Sequence, residues 1–559
     1  MKKKIIIIGG VAGGATAAAR LRRISEEVEV IIVERGEHIS FANCGLPYYI
    51  GETIKERKKL LVQTVKGMSE RFNLDIRIFS EAIHINSESK TVTIKNLQSG
   101  EVYEESYDTL LLSPGAQPIV SLIPGIEEHE SLFTLRNIPD TDYIKNYVDT
   151  KQPKKAVVIG AGFIGLEMAE NLAERGIEVT IVQRGNQVMN PIDFEMASIL
   201  HNHLIEKGVK LIFNNSVQAF EDHGKKAILA DGTGLQTELT ILSIGVRPEN
   251  ELAITAGLEL GARGGIVVNE FLQTSNPDIY AVGDAVEVVD YINGTKTMIP
   301  LAGPANRQGR IVANNMMGKK ETYKGTLGTS IAKVFDLTVA SVGNNEKTLK
   351  RLGVPYEVVH IHPASHAGYY PGASPIALKL IFDKESSKIY GAQAIGKDGV
   401  DKRMDVIATA IIGGLTAEEL TTLELSYAPP YSSAKDPVNM AGYVASNIIE
   451  GELEHIQWHE VDQIVADGGL LIDVRDAKER ENGFIEGSIN IPLNDLRNHL
   501  AELPTNQTIY VSCQVGLRGY LASRILKNHG YSVKNVDGGW KTYSAVYESS
   551  KKELVGAGK

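Results

Sequence analysis

The chain has 559 residues, room for three to four domains at about 150 residues each. With 43% hydrophobic and 23% charged residues, it is neither disordered nor fibrous. Its 58 basic against 69 acidic side chains leave a net charge of −11, which argues against a nucleic acid or an anionic membrane as partner; a phosphate-bearing ligand must be held by local basic residues and backbone amides.

The apolar stretch that starts the chain is too short for a signal peptide or a membrane span and runs straight into glycine. Lys4 to Gly10 therefore reads as a strand, followed by a small-residue helix from Ala15 to Ile24 and a second strand from Val28 to Glu34. This βαβ context gives the glycines meaning. Gly9 and Gly14 take the first and third positions of a G-x-G-x-x-G turn, with Val11 in place of the middle glycine. Glu34, ending the second strand, stands where a ribose hydroxyl would be bound.

The segment from Ser40 to Tyr49 follows directly and holds Cys44. Gly45 and Pro47 fit a loop turning into a helix, with proline in its first turn. A cysteine at such a helix start is expected to have a stabilised thiolate and to act as a nucleophile. A C-x-x-x-x-C redox pair would need a second cysteine at position 49, which is Tyr49, so Cys44 is expected to work alone, cycling through a mixed disulfide, persulfide or sulfenate. The chain's other cysteine is Cys513. Two cysteines build no disulfide framework, and the expected location is the cytoplasm. The 13 histidines show no ligand spacing, so no metal is expected.

Further on, Leu110 to Ala116 is a short strand and turn, and Ala156 to Gly165 is an intact strand-turn-helix fingerprint. There Gly160 makes the turn, Gly162 admits the pyrophosphate, and Gly165 lets helix pack on strand. The helix takes in Glu167 to Glu174, and the next strand, from Ile177 to Val182, ends in Gln183 and Arg184 rather than an acid. Gln183 does not repel a 2′-phosphate and Arg184 can pair with one, so either NADH or NADPH is expected to serve. The stretch from Thr274 to Ala285 resembles the second flavin motif of the two-dinucleotide-fold flavoproteins, and Leu110 to Ala116 resembles their exit from the flavin domain. That resemblance implies FAD, with Asp284 on its ribityl chain.

On the string S-F-x-N-C-G-L-P-Y around Cys44, the first 450 residues or so resemble the single-cysteine pyridine nucleotide-disulfide oxidoreductases, most closely the coenzyme A-disulfide reductases. Their peroxidase and oxidase relatives carry a histidine in the first glycine loop; Ala12 stands there, which disfavours an NADH oxidase or peroxidase. The resemblance implies coenzyme A as substrate or as a covalent adduct of Cys44. By position, Thr16, Arg20, Arg23, Ser40, Asn43, Arg71, Asn306 and Lys435 are its candidate contacts, with Arg20 and Arg23 sharing one helix face. It also implies a homodimer, in which tyrosines stand near the partner's cysteine and a phenol protonates the leaving thiolate. Tyr427 matches one of them, and either Tyr369 or Tyr370 the other.

Residues 452–559 read as a separate α/β unit. A strand from Ile509 to Ser512 delivers Cys513 into a loop containing Gln514, Gly516 and Arg518, followed by a helix to about Asn528. Such a loop wraps backbone N–H groups around whatever the sulfur carries, and Arg518 is expected to add positive charge. The stretch resembles a single rhodanese domain; four residues separate Cys513 from Arg518, where a tyrosine-phosphatase loop has five. The expected architecture is α/β throughout: an FAD domain (1–113 and 246–324), an NAD(P)H domain (114–245), an α+β dimerisation domain (325–449) and the rhodanese domain (452–559). The expected function is reduction of coenzyme A disulfide or persulfide, with polysulfide reduction as the alternative.

Overall fold

The computed structural model describes residues 2–556, with side chains described up to residue 548. It forms two compact units: Met1–Arg184 with Asn214–Gly328, and Gly185–Phe213 with Thr329–Lys559.

The first unit is built on parallel strands. Lys4–Ile8 pairs with Glu29–Val33 on one side and Thr109–Leu112 on the other, and its four isoleucines are buried. A central parallel strand is covered on both faces, which is why it reads as a continuous apolar run rather than an alternating one. Ile279–Ala281 extends the sheet beyond Thr109–Leu112, so the two ends of the flavin-like sequence meet side by side although about 170 residues separate them. The helix after the first strand spans Gly13–Ile24, and the one after the second fingerprint spans Phe163–Glu174. Both begin earlier than the sequence predicts, because neither N-terminus carries a side-chain cap to mark it. The second nucleotide fold repeats the pattern, with Lys155–Ile159 between Glu178–Val182 and Leu239–Leu242, all parallel.

The second unit holds two sheets. One is antiparallel, in the order Ser330–Val334, Leu337–Gly343, Ile389–Gly396, Ile376–Phe382, Glu357–Ile361. Helices Val400–Gly413 and Pro437–Ile449 follow it in the chain. Every residue of Ile376–Phe382 is buried, Lys379 included. The other sheet is parallel: His455–Ile456, Val533–Val536, Ile509–Ser512, Leu470–Asp473, Ile489–Asn490. Its core gathers Ile472, Val511, Ala522 and Leu526 around the fully buried Cys513. Among the described residues no helix is long and apolar enough to cross a membrane.

Candidate active site

In the first nucleotide turn, Gly14 lies so close to Gly9 that a Cβ would stand 2.0 Å from the Gly9 carbonyl oxygen. Only glycine permits that crossing of helix over strand, and Val11 sits in the turn between them. Glu34 accepts hydrogen bonds from the Gly10 and Gly36 N–H groups, both at 2.9 Å, so its carboxylate braces the turn. Asp284 sits in the short helical turn Gly283–Ala285, whose leading N–H donates to Gln308 Oε1 at 2.7 Å. Desolvation pushes the Asp284 carboxyl up against the opposing pull of Arg136. A glycine crevice with a desolvated carboxyl at its far end suits a dinucleotide with a polyol chain, and these residues fit FAD.

The second turn repeats the crossing: a Cβ on Gly165 would meet the Gly160 oxygen at 2.0 Å, while a Cβ on Gly162 would meet nothing within 4 Å. The two outer glycines are thus packing residues, and the middle one faces open space of the kind a pyrophosphate needs. Gln183 Oε1 accepts the Ala161 N–H at 3.2 Å, bracing this turn as Glu34 braces the first but without charge. Arg184 is exposed.

Cys44 lies in a single 3₁₀ turn, Asn43–Gly45, that leads into a five-residue helix, Leu46–Ile50, with Pro47 in its first turn. Its thiol is free and open to solvent. The expected stabilised thiolate is not what the chain alone provides. Desolvation by the surrounding chain, then the negative charges of Glu167 and Asp284, push the Cys44 thiol up, and a helix of five residues offers little dipole against them. No sequence motif marks Glu167 out within its helix. Burial, reinforced by the neighbouring Glu170, pushes its carboxyl up to about 7, while a hydrogen bond from the Tyr48 phenol pulls the other way. Tyr48 is pushed up by the same environment. A thiol, a phenol and an acid that titrates near neutrality therefore feel one another's charge, a set able to move protons at sulfur.

The candidate coenzyme A contacts separate. Thr16 Oγ1 donates to Asn306 Oδ1 at 2.6 Å, so these two stand together. Arg20 Nε donates to Asn314 Oδ1 at 2.9 Å, whereas Arg23 is exposed. Asn43 and Arg71 are exposed, and Ser40 is half-buried. In the other unit, Lys435 is exposed with its ammonium 5.7 Å from the Tyr443 ring centre. Tyr369 and Tyr427, also exposed, join hydroxyl to hydroxyl at 2.8 Å, while Tyr370 turns aside to pack edge-on against His366.

Cys513 follows strand Ile509–Ser512 and precedes helix Leu517–Asn528, and its Sγ accepts the Gly516 N–H at 3.1 Å. Gln514 Oε1 accepts from the buried Arg475 at 3.1 Å. Arg518 does not offer the sulfur an unopposed charge. Its guanidinium forms a two-pronged pair with Glu479 at 2.6 and 2.7 Å, and Asp476 lies near. The anion-holding power of this loop rests on its amides.

The family model for pyridine nucleotide-disulphide oxidoreductases matches residues 3–309, more than half of the chain, and that for their dimerisation domain matches 329–437. The chain belongs to this oxidoreductase family. A rhodanese-like domain matches residues 457–546. The coenzyme A disulfide reductase of Staphylococcus haemolyticus is 39% identical over 449 residues, 80% of this chain and all of that one. The crystal structure of reduced Bacillus anthracis CoADR-RHD is 63% identical with a TM-score of 0.97, covering 98% of this chain and 99% of that one. The structure of an NAD-dependent persulfide reductase from A. fulgidus is 38% identical with a TM-score of 0.91, covering 97% and 100%.

Proposed function

We propose that the protein is an FAD-dependent NAD(P)H:coenzyme A-disulfide and persulfide reductase that works as a homodimer, with Cys44 as its redox thiol and Cys513 as a sulfur carrier. The observation that carries the reading is a lone cysteine in a nucleotide-fold loop with Tyr49 where a second thiol would sit. Relatives named for both substrates, matched over most or all of the chain, support it.

Gly9, Val11, Gly14, Glu34 and Asp284 would hold FAD, which when bound supplies a two-electron relay between nicotinamide and sulfur. Gly160, Gly162, Gly165, Gln183 and Arg184 would hold the reduced nicotinamide nucleotide; the neutral Gln183 leaves room for either NADH or NADPH. The Cys44 thiolate attacks one sulfur of coenzyme A disulfide, forming a mixed disulfide and releasing coenzyme A thiolate. Two electrons and a proton from NAD(P)H, with one further proton, return Cys44 and free the second coenzyme A. With coenzyme A persulfide the same balance yields one coenzyme A and one hydrogen sulfide. Tyr369 and Tyr427 form the proton-donating phenol pair, and Tyr370 does not take part. Thr16, Arg20, Ser40, Asn43, Arg71, Asn306 and Lys435 remain the contacts for coenzyme A, Arg23 being free to meet its phosphates from solvent.

At the rhodanese loop, a sulfane sulfur on Cys513 would sit beside the Gly516 amide that already donates to its Sγ. Assaying one preparation against coenzyme A disulfide, its persulfide, polysulfide and oxygen tests the assignment. Turnover of the first two, well above that of oxygen, is expected; oxygen as the best acceptor would replace this reading with an oxidase. In Cys513→Ala, sulfur transfer from thiosulfate should vanish while coenzyme A disulfide reduction persists.

A further inference from the structure

A buried charge network inside the second unit belongs to neither sulfur site. His360, on strand Glu357–Ile361, is 3% exposed. Its Nδ1 lies 2.6 Å from Asp537 Oδ2 and its Nε2 3.1 Å from Glu195 Oε1, while its backbone N–H donates to both Asp537 oxygens at 3.1 and 3.0 Å. A neutral imidazole has one N–H. With carboxylate oxygen against both nitrogens, the imidazolium is the form that donates both ways. Lys379, paired with His360 on the adjacent strand, places its ammonium 2.5 Å from Glu195, 3.0 Å from Asp193 and 2.5 Å from Glu346. His362, two residues along the chain, has its pKa held down by burial and then by the charges of His360 and Lys541.

We propose that His360 is a positioning residue for the sulfur-carrying loop: through Asp537 it fixes the rhodanese domain on the dimerisation sheet and holds the turn on which Cys513 rests. Asp537 opens the turn Asp537-Gly538-Gly539-Trp540-Lys541. On one side this turn meets the dimerisation sheet through His360, through Thr542 Oγ1 at 2.8 Å from His362 Nε2, and through Gln457, whose amide bridges Val358 O and Asp537. On the other side the Trp540 N–H donates to Cys513 O at 2.7 Å and the Lys541 N–H to Gln514 O at 3.0 Å.

The turn has no slack. A Cβ on Gly538 would stand 2.9 Å from His360 Cβ, and one on Gly539 would stand 2.3 Å from Cys513 O. The segment joining the two domains is pinned as well: Arg524 and Lys527 donate to the carbonyls of Glu452 and Gly451 at 2.9 and 2.8 Å. The rhodanese domain is therefore docked rather than tethered, and sulfur leaving Cys513 goes to a thiol that comes to it, not by a swing of the domain.

Burial opposes charge on His360, but Asp537 and Glu195 outweigh burial and Lys379 and push its pKa up to about 9. A folded-state pKa above the unfolded value of about 6.5 stabilises the docked state fully below about pH 6.5, and that contribution is lost as pH rises through about 9. Breaking one partner out of a buried pair leaves the others uncompensated, so the loop should feel a change at His360 strongly.

The test is amide exchange on the full-length FAD-loaded protein from about pH 6 to about pH 10, corrected for the intrinsic base catalysis of exchange. Protection of residues 513–518 and 537–542 should fall together through about pH 9. In His360→Gln it should already be down on the order of tenfold at neutral pH, with a slower sulfurtransferase and coenzyme A disulfide reduction kept within about twofold. Adding Asp537→Asn, which pairs neutral with neutral, should restore part of that protection. Wild-type protection in His360→Gln at every pH would overturn the proposal. Should that variant not fold, the wild-type series decides alone, and a flat profile through pH 9 overturns it. The sulfurtransferase arm rests on Cys513 as the sulfur carrier; the exchange arm does not, so the two readings fail separately.

Discussion

Burial and two carboxylates oppose ionisation of Cys44, and the carboxylate with the larger effect, Glu167, is itself adjustable. Glu167, pushed up to about 7, is half-charged at neutral pH, so raising the pH through that value adds negative charge beside the thiol just when the thiol must ionise. Glu167→Gln should lower the thiol's apparent pKa, raise its ionised fraction and so speed its alkylation by iodoacetamide severalfold at pH 8 in the reduced protein; an unchanged rate would show that the Glu167 charge does not reach it. A second residue-scale prediction concerns Gln183, which braces the second glycine turn as a neutral amide. Gln183→Glu should cost NADPH about tenfold in kcat/KM, about 1.4 kcal/mol, and leave NADH nearly untouched. Equal losses with both nucleotides would mean the side chain only supports the turn. The cysteine loop was legible in the sequence because its signal is local: a cysteine, a glycine and a proline at fixed offsets. Glu167 was not, because it comes near Cys44 from another element, and nothing in the helix it belongs to marks it apart from Glu170 or Glu174.

Among the elements, strands were easier to read than helix starts. Ile5 to Ile8 is a continuous apolar run, and Ile376–Phe382 is apolar but for Lys379; both are wholly buried strands. The helices Gly13–Ile24 and Phe163–Glu174 begin at glycine turns without side-chain caps, so their first turns look like loop in the sequence. Spacing puts Arg20 and Arg23 on one helix face but does not show their neighbours: Asn314, on a helix far away in sequence, bonds Arg20, while Arg23 is exposed. Adjacent residues in a loop have no periodicity to tell Tyr369 from Tyr370; the fold adds only that Tyr369 meets Tyr427 hydroxyl to hydroxyl while Tyr370 packs on His366. Tyr369→Phe and Tyr427→Phe should each lower kcat for coenzyme A disulfide by on the order of 10²-fold, with little change in stability because the pair is exposed. Tyr370→Phe should be close to neutral. A reversed order, measured by steady-state kinetics on the three variants, would reassign the proton donor.

At the scale of the whole molecule, one chain combines an oxidoreductase body that carries a single cysteine with a rhodanese-like domain whose cysteine sulfur accepts the Gly516 amide. The sequence showed both thiols and their separate settings. It did not show the bonds among Glu195, His360 and Asp537, because these residues lie far apart in the chain and none stands in a motif. The central claim, that Cys44 alone passes electrons to sulfur, is tested most directly by NADPH-dependent turnover of coenzyme A disulfide in Cys44→Ser, with the flavin spectrum recorded on the same sample. The account predicts FAD bound as in the wild type and turnover reduced by at least about 100-fold, about 2.7 kcal/mol of barrier. Turnover of more than a few per cent with FAD in place would contradict it.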